Sequence, residues 1–143
     1  YMKVDNLLSG LKASGKSNFS GALRSMEWKT GRGVSVVITD GLMKEGFEEG
    51  LKYLKYKNQD VFLCMLLSPE ELSPPLNGAI ELVDSETGEK VEVTVSAALL
   101  KKYDETLKQH LARIREQCRK WGIHHTMLST DMPVDLMLKA LIA

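Results

Sequence analysis

Apolar residues follow two periods along this chain, and the switching between them sets the order of elements. Val4, Leu7, Leu8 and Leu11 recur at steps of three and four, which predicts a short helix over Lys3 to Lys12. Phe19, Ala22, Leu23 and Met26 repeat that spacing behind a Ser14-Gly15-Lys16-Ser17-Asn18 turn, where Asn18 or Ser17 can cap the helix. Thr30-Gly31-Arg32-Gly33 breaks it. Val34-Ser35-Val36-Val37-Ile38-Thr39 follows as a buried strand ending at Asp40-Gly41, and the glycine lets the chain turn sharply. Leu42 to Tyr56 returns to helical spacing, with Phe47, Leu51 and Leu54 as its inner stripe and Met43 one turn earlier.

Asp60 to Leu67 is a second, continuous apolar strand, the pattern of a parallel strand covered on both faces. Ser68 to Asn77 holds three of the four prolines and reads as a loop. Ile80 to Val83 and Val91 to Val95 alternate apolar and charged positions around Asp84-Ser85-Glu86-Thr87-Gly88-Glu89, which predicts a half-exposed hairpin. Ser96 caps a long helix to Lys120, striped by Tyr103, Leu107, Leu111, Ile114, Cys118 and Trp121. Gly122 stops it. Ile123 to Leu128 is a third strand. Thr130 or Asp131 caps a last helix with Pro133 in its first turn, and Val134, Met137, Leu138 and Leu141 point inward.

Strands alternating with helices predict an α/β fold of three layers, Rossmann-like, with a mainly parallel sheet plus a β-hairpin. The 143 residues suffice for one domain with a real core. Lys+Arg and Asp+Glu are balanced at 19 each, so the chain carries no electrostatic footprint for nucleic acid and no polybasic membrane patch. The longest apolar run, Val61 to Leu67, is too short to span a bilayer. Tyr1 to Leu11 lacks the apolar core of a signal peptide. Cys64 and Cys118 sit among apolar residues and read as buried free thiols of a cytoplasmic segment.

In open α/β sheets, ligands bind beyond the carboxyl ends of the strands, which is where Asp40 stands. The plain reading of Asp40 is a helix cap; the functional one is a metal ligand or a phosphoryl acceptor. The second role needs another acid nearby, and Asp131 after the third strand is the candidate. That defines a rival reading, a small α/β hydrolase or phosphotransfer enzyme using Asp40. Ser14-Gly15-Lys16-Ser17 lacks the spacing of a phosphate loop and follows a helix rather than a strand. His124 and His125 are adjacent in a strand and point to opposite faces, so they read as structural. His110 reads as solvated on the long helix. With no nucleophile elbow and no zinc-ligand spacing, the sequence gives little support for an enzyme.

Four segments together resemble the bacterial family called domain of unknown function fifty-eight, whose members look like von Willebrand factor A domains. Gly15-Lys16-Ser17-Asn18-Phe19 with Ala22-Leu23 resembles the family's Gly-Gly-Thr-Asp loop and helix. Val36-Val37-Ile38-Thr39-Asp40-Gly41 resembles its third metal-site strand. Leu82 through Glu89 is similar to its Asp-x-Glu-Thr-Gly hairpin. Trp121-Gly122-Ile123 through Ser129-Thr130-Asp131 is similar to its last strand and turn.

The resemblance implies a non-enzymatic protein-interaction module carrying a metal-ion-dependent adhesion site for Mg²⁺, with partners such as MoxR-type ATPases. Ser17 stands where the site's Thr is expected, Asn18 where Asp is frequent, and Asp40 at the third position. The Asp-x-Ser-x-Ser element is absent, so the metal site within this chain is expected to be incomplete. The chain is then either a fragment, the C-terminal part of a longer protein that could be membrane-associated, or a diverged member, and the Tyr1-Met2 opening favours the fragment. Without the family's first strands, Val34 to Thr39 is an exposed edge, which implies a homodimer through that strand.

Overall fold

The computed structural model describes residues 2–11, 18–28, 31–43, 47–84 and 88–142. Its elements run α1 (Met2–Ser9), α2 (Phe19–Ser25), β1 (Gly33–Thr39), α3 (Phe47–Tyr56), β2 (Gln59–Leu67) and α4 (Pro69–Leu72). They continue with β3 (Gly78–Val83), β4 (Lys90–Val95), α5 (Ala97–Trp121), β5 (His124–Ser129) and α6 (Val134–Ile142). The fold is mixed α/β. A parallel three-stranded sheet has the order β1-β2-β5, and β3 and β4 form a separate antiparallel hairpin.

β2 is the middle strand because it is apolar on both faces. Val61, Leu63, Met65 and Leu67 are fully buried on one face. Phe62, Cys64 and Leu66 point the other way. Register rows carry these faces across the sheet, since residues paired in a parallel ladder point to the same side. Val36, Phe62 and His124 share one row, and Val37, Leu63 and His125 the next. The face of Val37, Leu63 and Met65 is the core. Leu23 of α2, Phe47, Leu51 and Leu54 of α3, and Ile114 and Cys118 of α5 close over it.

Helix ends follow ordinary capping chemistry. Asn18 accepts the Gly21 N–H at 2.8 Å to start α2. Ser96 caps α5, and Gly122 ends it in the left-handed conformation at φ 61°. α2 packs on α3 where Gly50 leaves room for the Phe19 ring; a Cβ there would run into it.

Three expectations are corrected. The third helix is described from Phe47, and Leu42 and Met43 lie outside it, after the turn that Gly41 makes at φ +73°. The proline-rich loop contains the short α4, held by a capping box between Ser68 and Glu71. In α6, Val134 and Leu138 are exposed rather than inward. That helix packs on β5, where Thr126 Oγ1 donates to the Ala140 carbonyl, and Met137 is partly buried while Val134 and Leu138 are left exposed.

Candidate functional site

Asp40 follows the last residue of β1, at the carboxyl end of an outer strand of the described three-stranded sheet. Its side chain is exposed. Oδ1 accepts the Leu42 N–H at 3.0 Å. That closes an Asx turn two residues on, rather than the helix cap that a plain reading assigns to it. The Gly41 N–H donates to Thr39 Oγ1 at 3.0 Å, and His110 Nε2 lies 2.9 Å from the Gly41 carbonyl oxygen. A carbonyl only accepts, so Nε2 carries the proton. The carboxylate is therefore held by a turn that is latched to α5. Gly41 itself is buried, and a Cβ there would collide with Met65 Cε.

A cleft of about 670 Å³ opens beside this turn. Gly41, Phe47, Glu48, His110, Arg113 and Gln117 are among the residues that line it. Its carboxylate at Glu48 is already engaged. A Gln117 hydrogen bond first, and then Arg113 by hydrogen bond and charge, hold the Glu48 carboxyl below its ordinary range despite partial burial. A paired, low-pKa carboxylate is a poor proton acceptor near neutrality.

The other predicted site residues are dispersed. Ser17 lies outside the described residues. Asn18 spends its Oδ1 on the cap of α2 and makes no hydrogen bond to Asp40. Asp131 is exposed in the turn after β5. Because β2 lies between β1 and β5, Asp40 and Asp131 extend from strands that are not neighbours but two strand spacings, roughly 10 Å, apart. Among the described residues, no three His, Cys, Asp or Glu side chains group as a metal site.

The histidines behave unequally. His124 is exposed and stacks on Phe62 with ring centroids 4.5 Å apart. His125 is half-buried on the opposite face, its Nε2 3.4 Å from Met65 Sδ. Burial first, and then the Arg115 charge, lower its pKa. His110, expected in solvent, is instead half-buried against Gly41. The signal for it was present: His110, Arg113 and Gln117 follow one another at steps of three and four beside the apolar stripe of α5. Cys64 and Cys118 are buried free thiols, as expected. Burial pushes the Cys118 thiol up to about 11 and raises that of Cys64.

The sequence model of the family described as "Protein of unknown function DUF58" matches residues 4–113, from α1 into α5. No curated protein and no solved structure matches the chain.

Proposed function

The chain belongs to the DUF58 family of proteins of unknown function, and on that premise we propose that it is a non-enzymatic protein-interaction module, the C-terminal part of a von Willebrand factor A-like domain. The observation that carries this reading is the place of Asp40. It is an exposed carboxylate at the carboxyl end of a strand of the parallel sheet, aimed by the Leu42 N–H rather than buried in an ion pair. In this reading Asp40, with Ser17 and Asn18, contributes to a metal-ion-dependent adhesion site whose remaining donors lie elsewhere.

The donor chemistry supports an incomplete site. Mg²⁺ takes near-octahedral oxygen ligands. Asp40 has one oxygen engaged by Leu42 and a second to offer, while the Asn18 oxygen is committed to Gly21. Those atoms do not make a coordination sphere by themselves. A bound ion would supply an open position for a partner's carboxylate; the chain's own part is to hold Asp40 at a fixed angle through the turn and the His110 latch.

Partners of the MoxR-type ATPase class fit such a module. The test is to titrate the chain with Mg²⁺ and Mn²⁺ by calorimetry, and to measure its binding to a purified MoxR-type ATPase with and without the ion. Metal binding by this chain alone should be weak, and Asp40→Ala should reduce capture of the ATPase without altering the circular dichroism spectrum. Tight, stoichiometric metal binding by the chain would contradict the incomplete site. ATPase binding indifferent to Asp40→Ala would contradict the role of the carboxylate.

A further inference from the structure

The parallel sheet gathers positive charge at one end. α2, α3 and α5 lead into β1, β2 and β5, and those strands run in the same direction. The three helices therefore finish together at the amino end of the sheet, opposite Asp40. Arg24 is in the last turn of α2, Lys55 in that of α3, and Arg119 and Lys120 in that of α5, while Lys57 follows α3. The helix dipole alone favours cations at such ends. The overall balance of 19 basic against 19 acidic residues hides their separation.

Beyond the dipole, these cations rest on an aromatic bed. Trp28, Tyr53 and Trp121 pack against the core, so their rings are held in place. Arg24 lies 5.9 Å and Lys57 5.4 Å from the Tyr53 ring centroid, and Lys52 lies 5.0 Å from that of Trp121. The contacts bridge α2 to α3 and α3 to α5. A cation over a ring is positioned without being neutralised. Arg24, Lys52 and Lys57 form no salt bridge with any described residue, although Glu27, Glu49 and Glu116 are near in sequence. Glu48, one turn before Lys52, is engaged by Arg113, and Lys55 is spent on the Gly122 carbonyl. Tyr56 follows Lys52 by four residues and Tyr53 by three, so it shares their side of α3, and it is 79% exposed.

We propose that this surface docks an acidic segment of a partner protein, with carboxylates meeting Arg24, Lys52 and Lys57 and with Tyr56 packing on the segment. The chemistry selects that partner. Single-stranded nucleic acid needs successive free rings for its bases, and here Tyr53 and Trp121 already carry the chain's own cations. Lipid insertion needs exposed aliphatic side chains, and α3 has none. Carboxylates need only cations already held in place, which lowers the ordering cost of binding. Further strands beside β1 would bring helices beside this layer rather than over it. The surface also lies at the opposite end of the sheet from Asp40, so binding there is independent of any metal at that carboxylate and of the function proposed above.

The probe is a fluorescein-labelled oligo-glutamate peptide, followed by fluorescence anisotropy. It should bind saturably, and more weakly as salt is raised. Arg24→Gln, Lys52→Gln and Lys57→Gln combined should weaken it by about tenfold or more. Lys101→Gln, Lys102→Gln and Lys108→Gln remove as many charges from the other half of α5 and should leave it unchanged. Tyr53→Leu, which removes the ring beneath Arg24 and Lys57, should weaken binding severalfold, and Tyr53→Phe should retain it. In the wild type, amide shifts on adding the peptide should cluster at Arg24, Lys52 to Lys57 and Trp121. Absence of binding overturns the proposal. So do equal effects of the two triple variants, equal binding by Tyr53→Leu and Tyr53→Phe, or shifts spread over the rest of the chain. Tighter binding to oligo-thymidylate of matched charge, or to phosphatidylserine vesicles, overturns it as well by assigning the surface to a different occupant.

Discussion

His110 on α5 donates from Nε2 to the carbonyl oxygen of Gly41, 69 positions earlier in the chain, at 2.9 Å. This one bond ties the turn that presents Asp40 to the longest helix. A hydrogen bond of this kind contributes about 1 kcal/mol net. His110→Ala should therefore lower the urea-unfolding free energy by about that much and speed amide exchange at Leu42. His110→Gln, which keeps a donor of similar reach, should recover part of both. Unchanged exchange at Leu42 in His110→Ala would show that the turn does not depend on the latch.

Gly41→Ala should be costly for two separable reasons. The φ of +73° places an L-residue in the left-handed region, at about 1 kcal/mol or more. The new methyl would also meet Met65 Cε. A methionine tip usually yields, but Met65 is fully buried and has little space to move into. Loss of about 2–3 kcal/mol is expected, and Gly41→Ala combined with Met65→Ala should be less destabilised than the two single effects added together.

Gly50→Ala sets two effects against each other. Replacing glycine inside α3 favours the helix by about 1 kcal/mol. Against that, the methyl would enter the Phe19 ring, which already packs on Phe47 with centroids 5.9 Å apart. Overpacking at a helix–helix contact costs about 1–3 kcal/mol, so net destabilisation is expected by thermal melting. If Gly50→Ala raises the melting temperature, the α2–α3 contact is looser than its geometry implies.

The elements that could be read from the chain are those with a strong period. The continuous apolar run of β2 and the stripe of α5 announced both their type and their burial, and the charge-alternating flanks announced the hairpin. α4 was hidden because its capping box sits among prolines that signal a loop. The exposure of Val134 and Leu138 was hidden because amphipathic spacing shows that a helix has an apolar face, not how much of that face its neighbours cover. Asp40 was legible as a strand-end carboxylate, and its place at an outer strand follows from the sheet order. The cleft was not legible. It brings together α3 and α5, which lie far apart in sequence, and nothing local marks Glu48 and Arg113 as partners.

Cys118 is 1% exposed and its thiol is pushed up to about 11 by burial; Cys64 is 4% exposed and is also raised. The thiolate is the reactive form, so at pH 8 an aromatic disulfide reagent should label neither cysteine in the folded protein. Both should react in denaturant, with a count of two free thiols. In native buffer the slow labelling rate should track the opening of the fold and rise in Gly41→Ala. Rapid labelling of Cys118 in the wild type would show that the α5 side of the core is open to solvent, and rapid labelling of Cys64 would show the same for the opposite face of the sheet.

His125 makes the fold acid-sensitive in a way that can be isolated. Its pKa is lowered from the ordinary 6.5 by burial against Met65, with the Arg115 charge adding to the effect. The unfolded chain titrates at the ordinary value, so between the two values the unfolded state binds more protons. Stability from this group is thus complete above about pH 6.5 and is lost as the pH falls through the lowered pKa of the folded form. His125→Gln keeps a polar side chain of similar length and does not titrate. Denaturant midpoints of wild type and His125→Gln measured at pH 7.5 and pH 5 should therefore differ in slope, the wild type losing more stability on acidification. Carboxylates common to both proteins cancel in that comparison. A midpoint difference that stays constant across this range would mean that His125 is not protonated more readily in the unfolded chain.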